Sequence, residues 1–372
     1  MKKGLVVIYD PHALMQFLQF YCMGNHSEIE WDVLCLPKDD GKQEMDVFCE
    51  KSGVFQKIYA NDTEFKSLPV LKKLALFIPM TLYALIGKRK RMCIKIFNSM
   101  VDDIEAYDYY AANTESGFMA GLLASFAKEK TTVYFEDGSA DYMIVRKKNQ
   151  SYYRTGSFVN FQCVFMSKLG YFGKGYTYFE PTKNCYKYAS NPDELAYKNY
   201  KKIFRFDLNA DEDRRYRMIL SRIYPELRQV ERLNPDCAIV FTMPLTNKNI
   251  YKDKYIQKYE DYINTHATEI YLKKHPRDSQ EYTFSDNVQF HEIPQDIPAE
   301  VLFPYFNGKK CYMMEPDSLL INMSVFDLKI NILYYDDYSK EERILFNNWK
   351  SRESFVSYCK RFIADKYRII DL

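Results

Sequence analysis

Twice along the chain, short apolar runs of strand length take turns with longer stretches whose apolar residues recur at helical spacing. In the first half GLVVIYD (4–10) precedes PHALMQFLQFYC (11–22), and WDVLCL (31–36), YDYYAA (107–112), GFMAGLLASFA (117–127) and TTVYFEDG (131–138) continue the pattern. In the second half DCAIVFT (236–242), NIYKDKYIQKYEDYIN (249–264) and TEIYLKK (268–274) repeat it, followed by VQFHEI (288–293), PAEVLFPYF (298–306), KCYMM (310–314), DSLLINMSV (317–325) and INILYY (330–335). Such alternation predicts parallel strands joined by crossover helices, an α/β fold. At 372 residues the chain exceeds one typical core and suits two domains. The expected division is 1–185, then 186–338, with a tyrosine-rich zone around 180–200 between them. A helical C-terminal stretch, 339–372, is expected to pack back on the first domain.

Composition narrows the function. Hydrophobic residues make up 47% and charged residues 27%, so the chain can build ordinary cores. With 33 Tyr and 26 Phe the aromatic content suits sugar stacking and a tyrosine-rich core equally. A formal charge of +2 supplies no global field for phosphate backbones, which argues against nucleic acid as a partner. The nine cysteines are odd in number, scattered and without a CxxC pair, as expected of reduced thiols in a cytoplasmic protein. The first apolar run, LVVIY, stops after five residues, too short for a signal-peptide core.

Two strand ends carry the readable chemistry. YLKKHPRD (271–278) runs from a strand directly into Lys273, Lys274, His275, Pro276 and Arg277, and in open α/β sheets ligands gather at the carboxyl ends of strands. A histidine there can donate a hydrogen bond to a phosphate oxygen or a proton to a departing phosphate. The bland reading is a surface loop. YFEDGSADY (134–142) places Glu136, Asp137 and Gly138 at another strand end, where a carboxylate can take a proton from a hydroxyl, although Asp-Gly is also a common turn signal. KDDGK (38–42) shows a similar acidic-Gly pattern inside a polar loop.

Other candidates have plainer readings. DED (Asp211 to Asp213) is the one DxD match and reads as the acidic first turn of a helix. His12 either faces an acceptor or starts the helix after the first strand. His26, His266 and His291 have no companions in sequence. LALFIPMTLYALIGKRKRMCIKIF (74–97) sets about a dozen apolar residues before Lys88, Arg89, Lys90 and Arg91, too few to span a bilayer. It reads either as a helix lying on an anionic membrane surface or as a buried helix with a solvated basic end.

An acidic-acidic-Gly motif followed about 140 residues later by His-Pro resembles the bacterial sialyltransferases, most closely glycosyltransferase family 52, the lipooligosaccharide sialyltransferases. VVIYDPHALMQFL, HPRD (275–278), IPAEVLF (297–303) and YMMEPDSLL (312–320) agree with that family's motifs in order. The resemblance implies two Rossmann-like domains facing a cleft, the GT-B arrangement, and an inverting transferase that takes CMP-sialic acid and needs no metal or other cofactor. By carry-over His275 and Pro276, with Arg277 beside them, would hold the CMP phosphate, and His275 would assist departure of CMP. Glu300 would contact ribose or cytosine, and Asp317 and Ser318 the phosphate. His12 and Gly138 would lie on the acceptor side. The family's lipooligosaccharide members carry an aspartate after a proline in the strand-end loop before His-Pro; here Leu245 follows Pro244. Other sialyltransferase families that share the two motifs draw their base from the acidic-Gly element, so the resemblance implies Asp137 or Glu136 as the base.

The partners this implies are CMP-sialic acid and the terminal galactose of a surface oligosaccharide, with peripheral contact to the inner membrane through 74–97 and a homodimer as further expectations. Competing readings are another nucleotide-sugar or CDP-alcohol transferase on the same scaffold, a non-catalytic glycan-binding protein, and a membrane-surface scaffold.

Overall fold

The computed structural model describes residues 1–36, 45–61, 70–113, 119, 122–123, 126–127, 129–136, 169, 171, 184–195, 198, 200–230, 233–234, 236–242, 252–276, 278–314, 323, 326–334, 356–357, 359–360 and 367–372. They fall into two compact units, Met1–Ile223 and Tyr224–Leu372.

The first unit is built on a seven-stranded sheet of β1 (Lys3–Ile8), β2 (Glu30–Cys35), β3 (Phe55–Ala60), β4 (Tyr109–Asn113), β5 (Thr131–Phe135), β6 (Cys185–Ala189) and β7 (Lys202–Arg205), in the order β3-β2-β1-β4-β5-β6-β7. Every pairing is parallel. That explains why β1 reads as an unbroken apolar run: Leu5, Val6, Val7 and Ile8 are covered on both faces. Helix α1 (Pro11–Cys22) has the bounds its apolar spacing predicted; the Asp10 carboxylate caps it by accepting from the Ala13 amide at 2.8 Å, and Pro11 opens it. Phe17 and Phe20 of α1 pack their rings against Trp31 and Phe135 at 5.1–6.3 Å, pinning helix to sheet. On the sheet, α2 (Met45–Ser52), α3 (Val70–Leu85) and α4 (Arg89–Phe97) precede α5 (Ala210–Ile223), which packs against α1 and α2.

The second unit has six parallel strands, β8 (Ala238–Phe241), β9 (Glu269–Lys273), β10 (Gln289–Ile293), β11 (Lys310–Met313), β12 (Lys329–Tyr334) and β13 (Tyr367–Asp371), ordered β10-β9-β8-β11-β12-β13. Tyr255, Tyr259 and Ile263 of α6 (Lys252–His266) seal one face against Ile270, Leu272 and Tyr312. The strand order reverses between β1 and β4 in one sheet and between β8 and β11 in the other, the points where doubly wound sheets open toward ligands.

Three expectations change. The 180–200 zone is no interdomain region: β6 and β7 extend the first sheet, and the contact boundary falls between Ile223 and Tyr224, not after 185. The short, lysine-bearing β6, CYKYA, lacks an apolar run, yet Lys187 is fully buried with its Nζ donating to the Phe135 carbonyl at 3.1 Å. The end of the tail is a strand and not a helix: β13 pairs with β12 in the second sheet, and most of the helical-patterned 340–363 lies outside the described residues. The eight described cysteines are buried free thiols.

Candidate functional site

The turn after β9 is held by a dense set of hydrogen bonds. His275 to Asp278 form a turn closed by the Asp278 amide donating to the His275 carbonyl at 2.8 Å, with Pro276 at its second position, where a fixed φ favours this bend. Asp278 is buried and is the turn's anchor. Its Oδ2 accepts from the hydroxyls of Thr242 and Tyr282, the latter at 2.9 Å, and its Oδ1 from the Gln280 amide at 3.0 Å. Thr242 follows β8, the neighbouring strand, and its Oγ1 accepts from the His275 amide at 3.2 Å. Gln295 closes the other side, its Nε2 donating to the carbonyls of His275 at 3.0 Å and Asp278 at 2.7 Å. Both backbone polar groups of His275 are thus fixed by neighbours from other loops, while its side chain is only half-buried.

The lysines before His275 do different work from the one their sequence suggests. Lys273 is buried, and its Nζ donates to the carbonyls of Lys274, Pro294 and Gln295 at 3.0–3.2 Å, tying the loop after β9 to the loop after β10. Burial pushes its ammonium down to about 8, against the opposing pull of Glu300, Asp296 and Glu292. Lys274 is paired with Glu292 at 3.2 Å. Neither ammonium is held out for a ligand.

The buried Lys273 has a pH signature. Between about 8 and 10.5 the unfolded chain still binds the lysine proton that the folded one has released, so stability rises with pH through that window. The gain is about 3 kcal/mol at 1.36 kcal/mol per pKa unit. Urea unfolding of the native protein and Lys273→Met at the two ends of the window should show the native protein gaining on the variant by this amount as pH rises. A difference that stays constant would contradict the buried cation.

Asp278 carries a second prediction. Asp278→Ala strips the acceptor from two hydroxyls and one amide inside a buried network, at a cost of about 3 kcal/mol. Urea unfolding measures it; a loss under about 1 kcal/mol would mean the network is dispensable.

In the first unit Glu136 follows β5 and is fully buried. Ser190, one residue beyond β6, grips both carboxylate oxygens, its amide donating to Oε2 at 2.9 Å and its hydroxyl to Oε1. The Glu136 amide in turn donates to the Tyr188 carbonyl at 3.2 Å. This carboxylate clasps the ends of two strands. Asp137 and Gly138 lie outside the described residues, as do Arg277, Asp317 and Ser318. His12 occupies the first turn of α1, with both ring nitrogens covered from solvent. Glu300 sits half-buried on a short 3-10 turn (Ala299–Leu302), close enough to act on the Lys273 charge. Pro276 is exposed.

The remaining sequence candidates are structural. In DED, Asp213 holds Arg217 and Asp211 pairs with Arg214 at 3.6 Å, within the first turns of α5. Asn209 caps that helix, its Oδ1 accepting from the amides of Asp211 and Glu212 at 3.0 Å, while Glu212 reaches back to the Asn209 amide at 2.9 Å. His26 bonds to the Tyr188 hydroxyl at 3.1 Å and stacks on Phe20, and burial holds its pKa below the ordinary value. His266 stacks on Tyr262, and His291 on Tyr271. Thr242, Asp278 and Gln295 are single polar residues after strands and carry no spacing signal in the sequence. The one available hint was Pro and Asp at the second and fourth positions of HPRD.

No family model matches the sequence, and no curated protein matches it either. Among solved structures the chain is similar to CalG4, the calicheamicin glycosyltransferase, at 11% identity over 100% of this chain and 86% of that one, with a TM-score of 0.51. It is similar to the 2,6-sialyltransferase of Vibrionaceae Photobacterium sp. JT-ISH-224, solved with CMP and lactose, at 12% identity over 99% and 78%, TM-score 0.50. A sialyltransferase from Photobacterium damsela aligns at 10% identity over 100% and 81%, TM-score 0.50. At such identities the likeness is one of fold, and the fold is the two-unit α/β GT-B fold of glycosyltransferases.

Proposed function

We propose that the protein is a glycosyltransferase that moves sialic acid from CMP-sialic acid to a glycan hydroxyl, with inversion at the donor carbon. The observation that carries this reading is the turn after β9. Its neighbours fix the backbone of His275 on both sides, and the two lysines before it are engaged within the fold.

The division of labour follows from the chemistry. The donor's anomeric carbon is tertiary and bears a carboxylate, so its bond to phosphate breaks toward an oxocarbenium-like transition state. The leaving phosphate gathers negative charge as the bond lengthens, and a preorganised donor aimed at that charge lowers the barrier. His275 fills this role, donating a hydrogen bond or its proton to the phosphate oxygen, with Arg277, Asp317 and Ser318 as further phosphate contacts and Glu300 toward the ribose or base. The acceptor hydroxyl loses its proton to Asp137 as its oxygen bonds to the donor carbon. Glu136, engaged by Ser190, sets the strand end from which Asp137 follows and is a positioning residue. Displacement with one base converts a β-linked CMP-sugar into an α-linked product. The reading assigns no step to a metal ion.

Incubation with a panel of CMP-sialic acid, CDP-glycerol and UDP-sugars, with lactose as acceptor, tests the donor assignment. Release of CMP from CMP-sialic acid alone, with a sialylated product, is the expected result. Turnover of a UDP-sugar or CDP-glycerol in its place would assign the scaffold to another donor. Binding of CMP-sialic acid without any consumption would make the protein a non-catalytic binder.

A further inference from the structure

Helix α3 is apolar on two sides, and among the described residues only one of them is covered. Met80 and Ala84 are buried in the core of the first unit, with Leu76, Phe77 and Tyr83 packed around them, and the Tyr171 hydroxyl donates to the Met80 carbonyl at 2.8 Å. The other side carries Ile78, Leu82 and Leu85, continued by Ile86 in the turn just after the helix, at 59%, 56%, 74% and 62% exposure. Their spacing of four, seven and eight residues aligns them into one stripe along the helix. Isolated apolar residues on a surface need no explanation, but four on one helical face form a patch with a purpose.

Charge identifies what fits it. Immediately after the stripe come Lys88, Arg89, Lys90 and Arg91, all exposed, with Lys95 exposed one turn further along α4. No carboxylate among the described residues pairs with the first four. From residue 65 to 101 the sequence holds eight lysines and arginines (66, 72, 73, 88, 89, 90, 91 and 95) and no aspartate or glutamate. The whole chain is nearly balanced, 52 basic against 50 acidic residues, so this segregation is local. No described helix is long and apolar enough to cross a membrane.

We propose that the exposed face of α3 and the basic start of α4 together dock the protein on an anionic lipid surface. The helix would lie in the interface plane, with Ile78, Leu82, Leu85 and Ile86 entering the acyl boundary and Lys88 to Arg91 meeting phosphate-bearing headgroups. Apolar insertion and headgroup attraction add, which is why one helix suffices where neither contribution alone would hold the protein reversibly. This inference does not depend on the donor assignment.

The test is co-sedimentation of the full chain with vesicles of phosphatidylcholine alone and of phosphatidylcholine with phosphatidylglycerol, at low and high salt. The variants are K88Q/R89Q/K90Q/R91Q and L82S/L85S/I86S, whose altered side chains are exposed; circular dichroism and thermal melting verify their fold. Binding to the anionic vesicles, weakened by salt and lowered on the order of a hundredfold or more by loss of the four charges, is the expected result. The apolar variant should lose binding as well. Equal binding to both vesicle types, no binding to either, or undiminished binding of the charge variant overturns the proposal. So does a dimer in analytical ultracentrifugation that L82S/L85S/I86S dissociates in a protein that ignores vesicles, for the stripe is then a contact between two copies.

Discussion

Replacing His275 by alanine should lower transfer from CMP-sialic acid by a factor of about 100 to 10,000, the range for removing a positioned proton donor. The fold should survive. The backbone of the turn is held by Thr242 and Gln295 and by the Asp278 amide, none of which uses the imidazole of His275. Thermal unfolding of His275→Ala should therefore track the native protein closely. A stability loss as large as that of Asp278→Ala would assign the residue to the scaffold. The pH profile separates proton donation from passive contact. If the imidazole acts as a general acid, the alkaline fall in kcat disappears in the variant, and a donor whose leaving group needs no proton recovers part of the lost rate. Near-native turnover in His275→Ala would remove the site.

Exchanging the two carboxylates after β5 should give opposite outcomes. Asp137→Asn is expected to abolish transfer to about the same degree, with CMP binding intact, because the acceptor hydroxyl then has no base. Glu136→Gln keeps an acceptor for the Ser190 amide and lets the Ser190 hydroxyl reverse its role, so most of the activity should remain. Glu136→Ala should instead lose about 3 kcal/mol of stability, since it leaves the Ser190 amide and hydroxyl without a partner in a buried site. Steady-state kinetics and urea unfolding on the three variants decide the matter. Loss of turnover in Glu136→Gln with full activity in Asp137→Asn would reverse the two assignments.

These predictions show which parts of the molecule are legible as sequence. Period is legible: α1 appears with its predicted bounds because apolar spacing, Asp10 and Pro11 agree. Strands β1, β5, β8 and β9 are legible because parallel strands buried on both faces leave unbroken apolar runs. Strand β6 is not, since CYKYA acquires its burial from the sheet, including a lysine whose Nζ finds the Phe135 carbonyl only after folding. Strand β3, FQKIYA, lies at the edge of the sheet and keeps a mixed, half-exposed pattern.

The candidate site follows the same rule. His275 is visible because His-Pro after an apolar run is an unusual strand ending, and the structure puts it at the expected position after β9. What the neighbouring charges do is invisible, because the sequence cannot distinguish a lysine reaching for a ligand from one caged by the carbonyls of two loops. Lys273 and Lys274 looked like phosphate ligands and are engaged internally. Asp278, a single polar residue in sequence, is the anchor of the turn.

The central claim is that the imidazole after β9 grips the phosphate of a cytidine nucleotide, and phosphorus-31 NMR of CMP titrated with the protein observes that contact directly. The phosphorus resonance of CMP should shift on binding the native protein, and with His275→Ala both the size of that shift and the pH midpoint of the bound phosphate should change. A resonance unmoved by the native protein, or moved identically by the variant, would contradict the claim.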